Sequence, residues 1–248
     1  MGKTILITGA SSGIGKATAR LFHNRGWNVI ATMRSPEQEQ ELIKLDRVLV
    51  TRLDVQDAES IASAIQIGLS RFGRIEVLLN NAGYGAYGPL EATSLDKIRR
   101  QFDVNVIGLL ATTRSILPHF RSNQSGLVIN ISSIGGKMTF PLGTLYHGSK
   151  FAVEGLSEAL HYELAAIGAR VKIIEPGMVK TDFAGRSFDF NNDPTLVEYQ
   201  PLVHSFVSAL GPMNETASPP ETVAQAIYRA AEDESDQLRY EIGADAEQ

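Results

Sequence analysis

The chain contains no cysteine. That excludes a disulfide framework, a thiolate nucleophile and any metal site built on Cys ligands. No apolar run approaches the roughly 18–20 residues needed to cross a bilayer, so no membrane association is expected. Basic residues are the scarcer sign: 23 Lys+Arg against 28 Asp+Glu give a formal charge of −5. A mildly acidic surface argues against nucleic acid as a partner. The few histidines, His23, His119, His147, His161 and His204, are scattered without zinc-like spacing, so no metal is expected. The opening MGKTILITGASSGIG passes from one Lys straight into a short β-like run, without the apolar region and cleavage site of a signal peptide. The expected location is therefore cytoplasmic. No internal repeat or low-complexity tract is visible.

What remains is a 248-residue chain that is 43% hydrophobic, enough for one sizeable core. Short apolar runs alternate with longer helical patterns. Strands are expected at Thr4–Ile7, Val29–Ala31, Val48–Val50, Glu76–Leu79, Leu127–Ile131, Val171–Ile174 and Arg239–Ile242. Helices are expected at Ile14–Arg25, Ala58–Phe72, Ser94–Phe120 as one long pattern, Tyr146–Ile167 and Ser218–Ala231. The strands are apolar throughout rather than alternating, as in a parallel sheet covered on both faces. Strand–helix alternation predicts an α/β fold of one domain over residues 1–248, a doubly wound parallel sheet of about seven strands with helices on both faces. The stretch 183–220 breaks the rhythm. It is rich in Asn, Asp, Pro and Ser yet carries Phe188, Phe190, Leu196, Tyr199 and Phe206, and it reads as an insertion that serves the substrate.

Between the first strand and first helix lies Thr8-Gly9-Ala10-Ser11-Ser12-Gly13-Ile14-Gly15. Glycines there allow a tight turn and close approach of a pyrophosphate, which the free N–H groups and positive end of the helix would attract. No Lys-Ser/Thr follows, which disfavours an ATP-type loop. The second strand ends Ala31-Thr32-Met33-Arg34, with no carboxylate to take the ribose hydroxyls. Arg34 is a candidate partner for a 2′-phosphate, or else a solvated loop residue. On the next-to-last long helix, Tyr146 and Lys150 are four residues apart and share a face. An ammonium beside a phenol, whose free pKa is about 10, favours the phenolate and lowers that pKa toward a useful range. His147, one residue on, points to another face.

Taken in order, TGASSGIG, NNAG at 80–83, Asn105-Val106, ISS at 131–133, YHGSK at 146–150 and PGMVKT at 176–181 closely resemble the short-chain dehydrogenase/reductase family. The resemblance covers roughly residues 3–182 and returns at the end in LRYEIGADA. It implies a Rossmann fold and an oxidoreductase that interconverts a ketone or aldehyde and an alcohol by hydride transfer. It implies Tyr146 as general acid/base, Lys150 on the nicotinamide ribose, and Ser133, rather than Ser132, on the substrate oxygen. Asn105 would fix a water leading to Lys150. Gly9, Ser11, Ser12, Gly13, Ile14 and Gly15 would hold the pyrophosphate, and Asp54 and Val55 would meet the adenine. Asn81, Ala82 and Gly83 would either line the adenosine ribose or brace the sheet. Pro176, Gly177, Val179 and Thr181 would border the nicotinamide. Arg34 favours NADP(H), with NAD(H) the weaker option.

Met138, Phe140, Met178 and Phe183 are candidate substrate contacts, and their apolar character predicts a hydrophobic small-molecule carbonyl or alcohol. Family members commonly pair through the two long helices, so a homodimer or homotetramer is expected. Phe102, Leu109, Phe151 and Leu160 suit either such an interface or packing on the sheet. The rival reading is a non-catalytic NADP(H)-binding regulatory protein on the same fold. The intact Asn105, Ser133, Tyr146 and Lys150 argue against it.

Overall fold

The first strand, β1 (Thr4–Ile7), shows why its sequence does not alternate. Ile5 and Ile7 enter one hydrophobic cluster, with Ala19, Phe22, Val223 and Ile227. Leu6 enters the other, with Ile61, Ile65, Ile116, Phe120 and Leu164. Both faces of the strand are covered, so every position must be apolar. The computed structural model describes residues 2–181, 187–215 and 217–243.

The other elements are β2 (Asn28–Met33), β3 (Val48–Arg52), β4 (Val77–Asn80), β5 (Gly85–Tyr87), β6 (Gly126–Ile131), β7 (Ala169–Pro176), β8 (Phe188–Phe190) and β9 (Arg239–Ile242). The helices are α1 (Gly13–Asn24), α2 (Ala58–Phe72), α3 (Leu95–Phe102), α4 (Gly108–Asn123), α5 (Thr144–Ala165), α6 (Gln200–Glu215) and α7 (Pro220–Glu232). The main sheet has seven strands in the order β3-β2-β1-β4-β6-β7-β9. Every pairing described is parallel. Residues of α1 and α7 build the first cluster, and those of α2, α4 and α5 the second. This is the single Rossmann-like fold that the strand–helix alternation predicts. The chain reverses direction across the sheet between β1 and β4, and a ligand crevice belongs at the carboxyl ends of strands flanking such a switch.

Two features depart from the sequence reading. The long pattern Ser94–Phe120 is not one helix. A π-turn at Asp103–Ile107 separates α3 from α4. The Asn105 side chain there bonds outside its own helix, to the Tyr84 backbone and to Ser149. The second departure is a two-stranded parallel sheet, in which β5 pairs with β8. Its two strands are far apart in the chain and too short to stand out as apolar runs. Of the residues offered to an interface, Leu109 and Leu160 are buried in the core, whereas Phe151 is exposed. No helix among the described residues is long and apolar enough to cross a membrane.

Candidate functional site

A cleft of about 1200 Å³ runs over the carboxyl ends of β1, β2, β4, β6 and β7. Its floor at one end is the turn after β1. Gly9 and Gly13 take left-handed conformations there, with φ of 69° and 53°. A side chain is strained at such angles, which is why the loop is glycine-rich. Gly15 does not line the cleft. It packs behind the turn, where a Cβ would stand 2.6 Å from Asn81 Nδ2 and run into the Gly9 carbonyl. Thr8 and Asn81 lock the turn to the end of β4. The Thr8 hydroxyl accepts from the Asn81 and Ala82 amides at 3.0 Å, and Asn81 Nδ2 donates to the Thr8 and Gly9 carbonyls at 2.9 and 3.0 Å. The Asn81 side chain is thus occupied with bracing, while the Asn81-Ala82-Gly83 turn itself borders the cleft.

The helix ends differ in a telling way. Asp57 caps α2 by accepting from the Glu59 and Ser60 amides, and Ser94 caps α3 through the Lys97 amide. No side chain caps α1, and no acidic residue stands in its first turn. Its free N–H groups and dipole end open on Ser11, Ser12, Gly13 and Ile14, all of which line the cleft. That suits an anion such as a pyrophosphate. Thr181 closes over the same turn, since a Cβ on Gly13 would meet it at 3.2 Å. Arg34 lies exposed at the end of β2, lines the cleft, and makes no ion pair among the described residues. Of the carboxylates that follow, the buried Glu39 is spent elsewhere. It binds Lys16 at 3.2 Å and the Glu41 and Leu42 amides at 2.8 and 3.0 Å. Asp54, Val55, Pro176, Gly177 and Val179 also border the cleft.

At the other end, Tyr146 is buried near the N-terminus of α5, and its hydroxyl is hydrogen-bonded to Ser133. Ser133 also accepts from the Gly135 amide at 3.1 Å. Lys150 lies one turn along α5, its Nζ 5.8 Å from the Tyr146 ring centroid and 2.8 Å from the Ile131 carbonyl it donates to. The phenol is not lowered as its spacing to Lys150 predicts. Burial pushes Tyr146 up, and the Ser133 bond draws it only partly back. Lys150 itself is brought down to about 8 by burial, against the pull of the Glu154 carboxylate. Asn105 lies beside this group, on the π-turn. Its amide donates to the Tyr84 carbonyl at 2.9 Å and to Ser149 at 3.1 Å, which ties that turn to the start of α5. His147 is likewise a brace: Nδ1 bonds the Gly135 carbonyl at 2.9 Å and Nε2 accepts from the Phe140 amide at 3.1 Å.

Among the candidate substrate contacts, Phe140 and Met178 line the cleft. Met138 does not. It is 50% exposed on the outside of its loop. Phe183 lies outside the described residues. The larger apolar wall joins the aromatics of the insertion to a ring from a distant part of the chain. Tyr87 on β5 lies 5.4 Å from the Tyr146 ring, 5.1 Å from Phe188 on β8 and 5.6 Å from Phe206 on α6. The aromatics of the insertion were visible in the sequence, but their partner Tyr87 could be found only by knowing that β5 pairs with β8. Lys97 ties this wall to α3, its Nζ 2.8 Å from Asp189 and 2.5 Å from Asn191.

Comparison with known proteins agrees with this geometry. An uncharacterized oxidoreductase of Schizosaccharomyces pombe is 48% identical over 216 residues, covering 85% of this chain and 88% of that protein. A short-chain dehydrogenase of Streptomyces avermitilis superposes with a TM-score of 0.87 at 36% identity, covering 99% of this chain and 89% of its own. The alcohol dehydrogenase of Thermococcus sibiricus, solved with 5-hydroxy-NADP, gives 0.79 at 26% identity, covering 97% of this chain and 95% of that one. Residues 3–192 match the model of the short chain dehydrogenase family. With the parallel sheet, the glycine turn against an uncapped helix and the buried Tyr146–Lys150 pair on one cleft, the chain belongs to that family of oxidoreductases.

Proposed function

We propose that the protein is an NADP(H)-dependent oxidoreductase that interconverts an apolar ketone or aldehyde and the corresponding alcohol. The observation that carries this reading is the Tyr146 phenol, buried, bonded to Ser133 and one helical turn from Lys150, on the same cleft as an uncapped helix N-terminus. The α1 amides and the glycine turn would hold the pyrophosphate, and Arg34 a 2′-phosphate. When bound, the nicotinamide supplies or takes up the hydride. Lys150 would orient its ribose. Tyr146 would give the carbonyl oxygen its proton in reduction and remove it in oxidation. Ser133 would donate to the same oxygen and favour the charge that develops there. The Tyr87, Phe188 and Phe206 rings, with Phe140 and Met178, favour an apolar substrate body. The exposed Phe151 on α5 and Ile107 and Leu110 around the start of α4 suit the face of a homodimer or homotetramer.

The test is loss of NADPH absorbance with a panel of apolar ketones and aldehydes, with Tyr146→Phe as matched control. Turnover by the natural chain alone supports the reading. NADPH binding without turnover of any member would favour a dinucleotide-binding regulatory protein instead.

A further inference from the structure

Next to Lys150 two glutamates meet in the protein interior. Glu154 follows Lys150 by one turn of α5, and Glu175 stands on β7 just before Pro176. They are 7% and 0% exposed. Among the described residues Glu154 Oε1 and the Ser132 hydroxyl have no hydrogen-bond partner, and the two Glu175 oxygens meet cations, Lys137 and Arg239, rather than neutral donors. The Ser132 hydroxyl and the Glu154 side chain share one small space. A Cβ on Gly136 would stand 2.7 Å from Ser132 Oγ and 3.1 Å from both Glu154 Cγ and the Lys150 carbonyl oxygen.

Charged groups face the pair from each neighbouring element. Lys137, after β6, reaches Glu175 Oε2 at 3.1 Å. Arg239, on β9, reaches Glu154 at 3.0 Å and Glu175 Oε1 at 3.2 Å. Each cation is also shared outward. Lys137 reaches Glu241 at 3.4 Å, and Arg239 reaches Glu158 at 2.6 Å. Glu241 is the register neighbour of Glu175 across β7 and β9. Four carboxylates therefore divide two cations, and the next positive charge along the helix is Lys150. Two adjacent carboxylates taken out of water do not both stay ionised at modest cost. In keeping with this, burial and the Glu154 charge together push Glu175 up to about 7.

We propose that Glu175 holds the proton of this pair and that Glu154 and Glu175 act together as a positioning pair for Lys150, the Glu154 carboxylate keeping its amine protonated. The proposal rests on the role given to Lys150 above. It has a consequence for pH. As pH rises through neutrality the pair loses its proton, the negative charge near Lys150 grows, and Lys150 holds its own proton more tightly. Lys137, which touches Glu175, and Glu241 are both about half exposed, so the pair borders solvent on that side. Like-charged carboxylates thus extend the range over which Lys150 stays cationic, instead of merely tolerating burial.

The test needs no turnover, so it stands apart from the reaction itself. The full chain, labelled with carbon-13 at Glu carboxyl and Lys Cε positions, is titrated by NMR, with Lys150→Arg assigning the lysine signal. One carboxyl signal titrates near neutrality and is lost in Glu175→Gln. In Glu154→Gln the Lys150 titration falls by about one pH unit, roughly a tenfold gain in neutral amine at a given pH, and Glu154→Asp restores it. With a substrate in hand, the kcat/KM profile of Glu154→Gln moves the same way at unchanged cofactor KM. Carboxyl signals that all titrate in the ordinary acidic range, or a Lys150 titration unmoved by Glu154→Gln, would overturn the proposal. If Glu175→Gln does not fold, the natural chain and the two Glu154 variants decide it.

Discussion

The two ends of the cleft are built from different materials. The end under the glycine turn is mostly backbone: amides of the uncapped α1, the turn after β1, and the Asn81-Ala82-Gly83 turn, braced by Thr8 and Asn81. The end beyond Tyr146 is mostly side chain: Tyr87, Phe188 and Phe206 from β5, β8 and α6. Backbone groups at a helix terminus recognise what every dinucleotide shares, so that end can be fixed by a short motif. A wall of rings recognises shape and apolar area, so it can change with the substrate while the first end stays as it is. Tyr146 stands at the junction, and each variant below asks whether the two ends are separable.

The largest effect is expected at the junction. Tyr146→Phe keeps the ring and its contact with Tyr87 but removes the proton. Turnover falls by about 10²–10⁴-fold, the usual worth of a placed acid/base. NADPH affinity, read by fluorescence titration, is unchanged, and a parallel loss of binding would mean that the ends are not separable. Next comes Gly15→Ala. Its methyl would enter the space held by the Gly9 carbonyl and Asn81 Nδ2. Overpacking of this kind costs about 1–3 kcal/mol. NADPH binding weakens and the melting temperature falls, whereas the ranking among carbonyl substrates stays the same.

The same division governs what could be read from the sequence. The strands of the main sheet, the glycine turn and the Tyr146–Lys150 spacing follow from local rules: continuous apolar runs, backbone conformations that need Gly, and a helix repeat that stacks residues four apart. Gly9, Gly13, Arg34, Ser133, Tyr146 and Lys150 were therefore legible, and the structure brings all of them to one cleft. What escaped was long-range. The β5–β8 sheet joins Gly85–Tyr87 to Phe188–Phe190, and nothing in either tripeptide announces the other. The break at Asp103–Ile107 escaped because a π-turn leaves the apolar periodicity of α3 and α4 nearly continuous. Met138 misled because residue type says apolar but not which way a loop turns it. The environment of Tyr146 was misjudged for a similar reason. Spacing reveals the neighbouring ammonium, but not the burial that opposes it.

Smaller effects sharpen the contrast. Arg34→Ala removes a charge-assisted contact worth about 1.5–3 kcal/mol, so NADPH binding weakens by roughly 10–100-fold. NADH binding does not change. Equal losses for both cofactors would make Arg34 a bystander. Phe206→Ala opens the ring wall, at about 0.5–1.5 kcal/mol for a lost ring pair. Its signature is a KM several-fold higher for the carbonyl substrate at constant cofactor KM.

Lys97→Ala is the mildest change and the most discriminating. Lys97 holds β8 to α3 through Asp189 and through the buried Asn191, whose amide in turn donates to the Tyr87 carbonyl at 3.3 Å. The link therefore acts on the position of the rings without contributing apolar surface. Because the Lys97 side chain is 43% exposed, solvent screens the ion pair, and it is worth no more than about 1 kcal/mol. Substrate KM should rise by no more than about fivefold. Added salt should shrink the difference from the natural chain, since exposed ion pairs are screened. The Phe206→Ala difference should persist, since apolar ring contact carries no charge for salt to screen. If both variants respond to salt alike, the wall is held by charge rather than by packing, and the contrast between the two ends of the cleft would have to be redrawn.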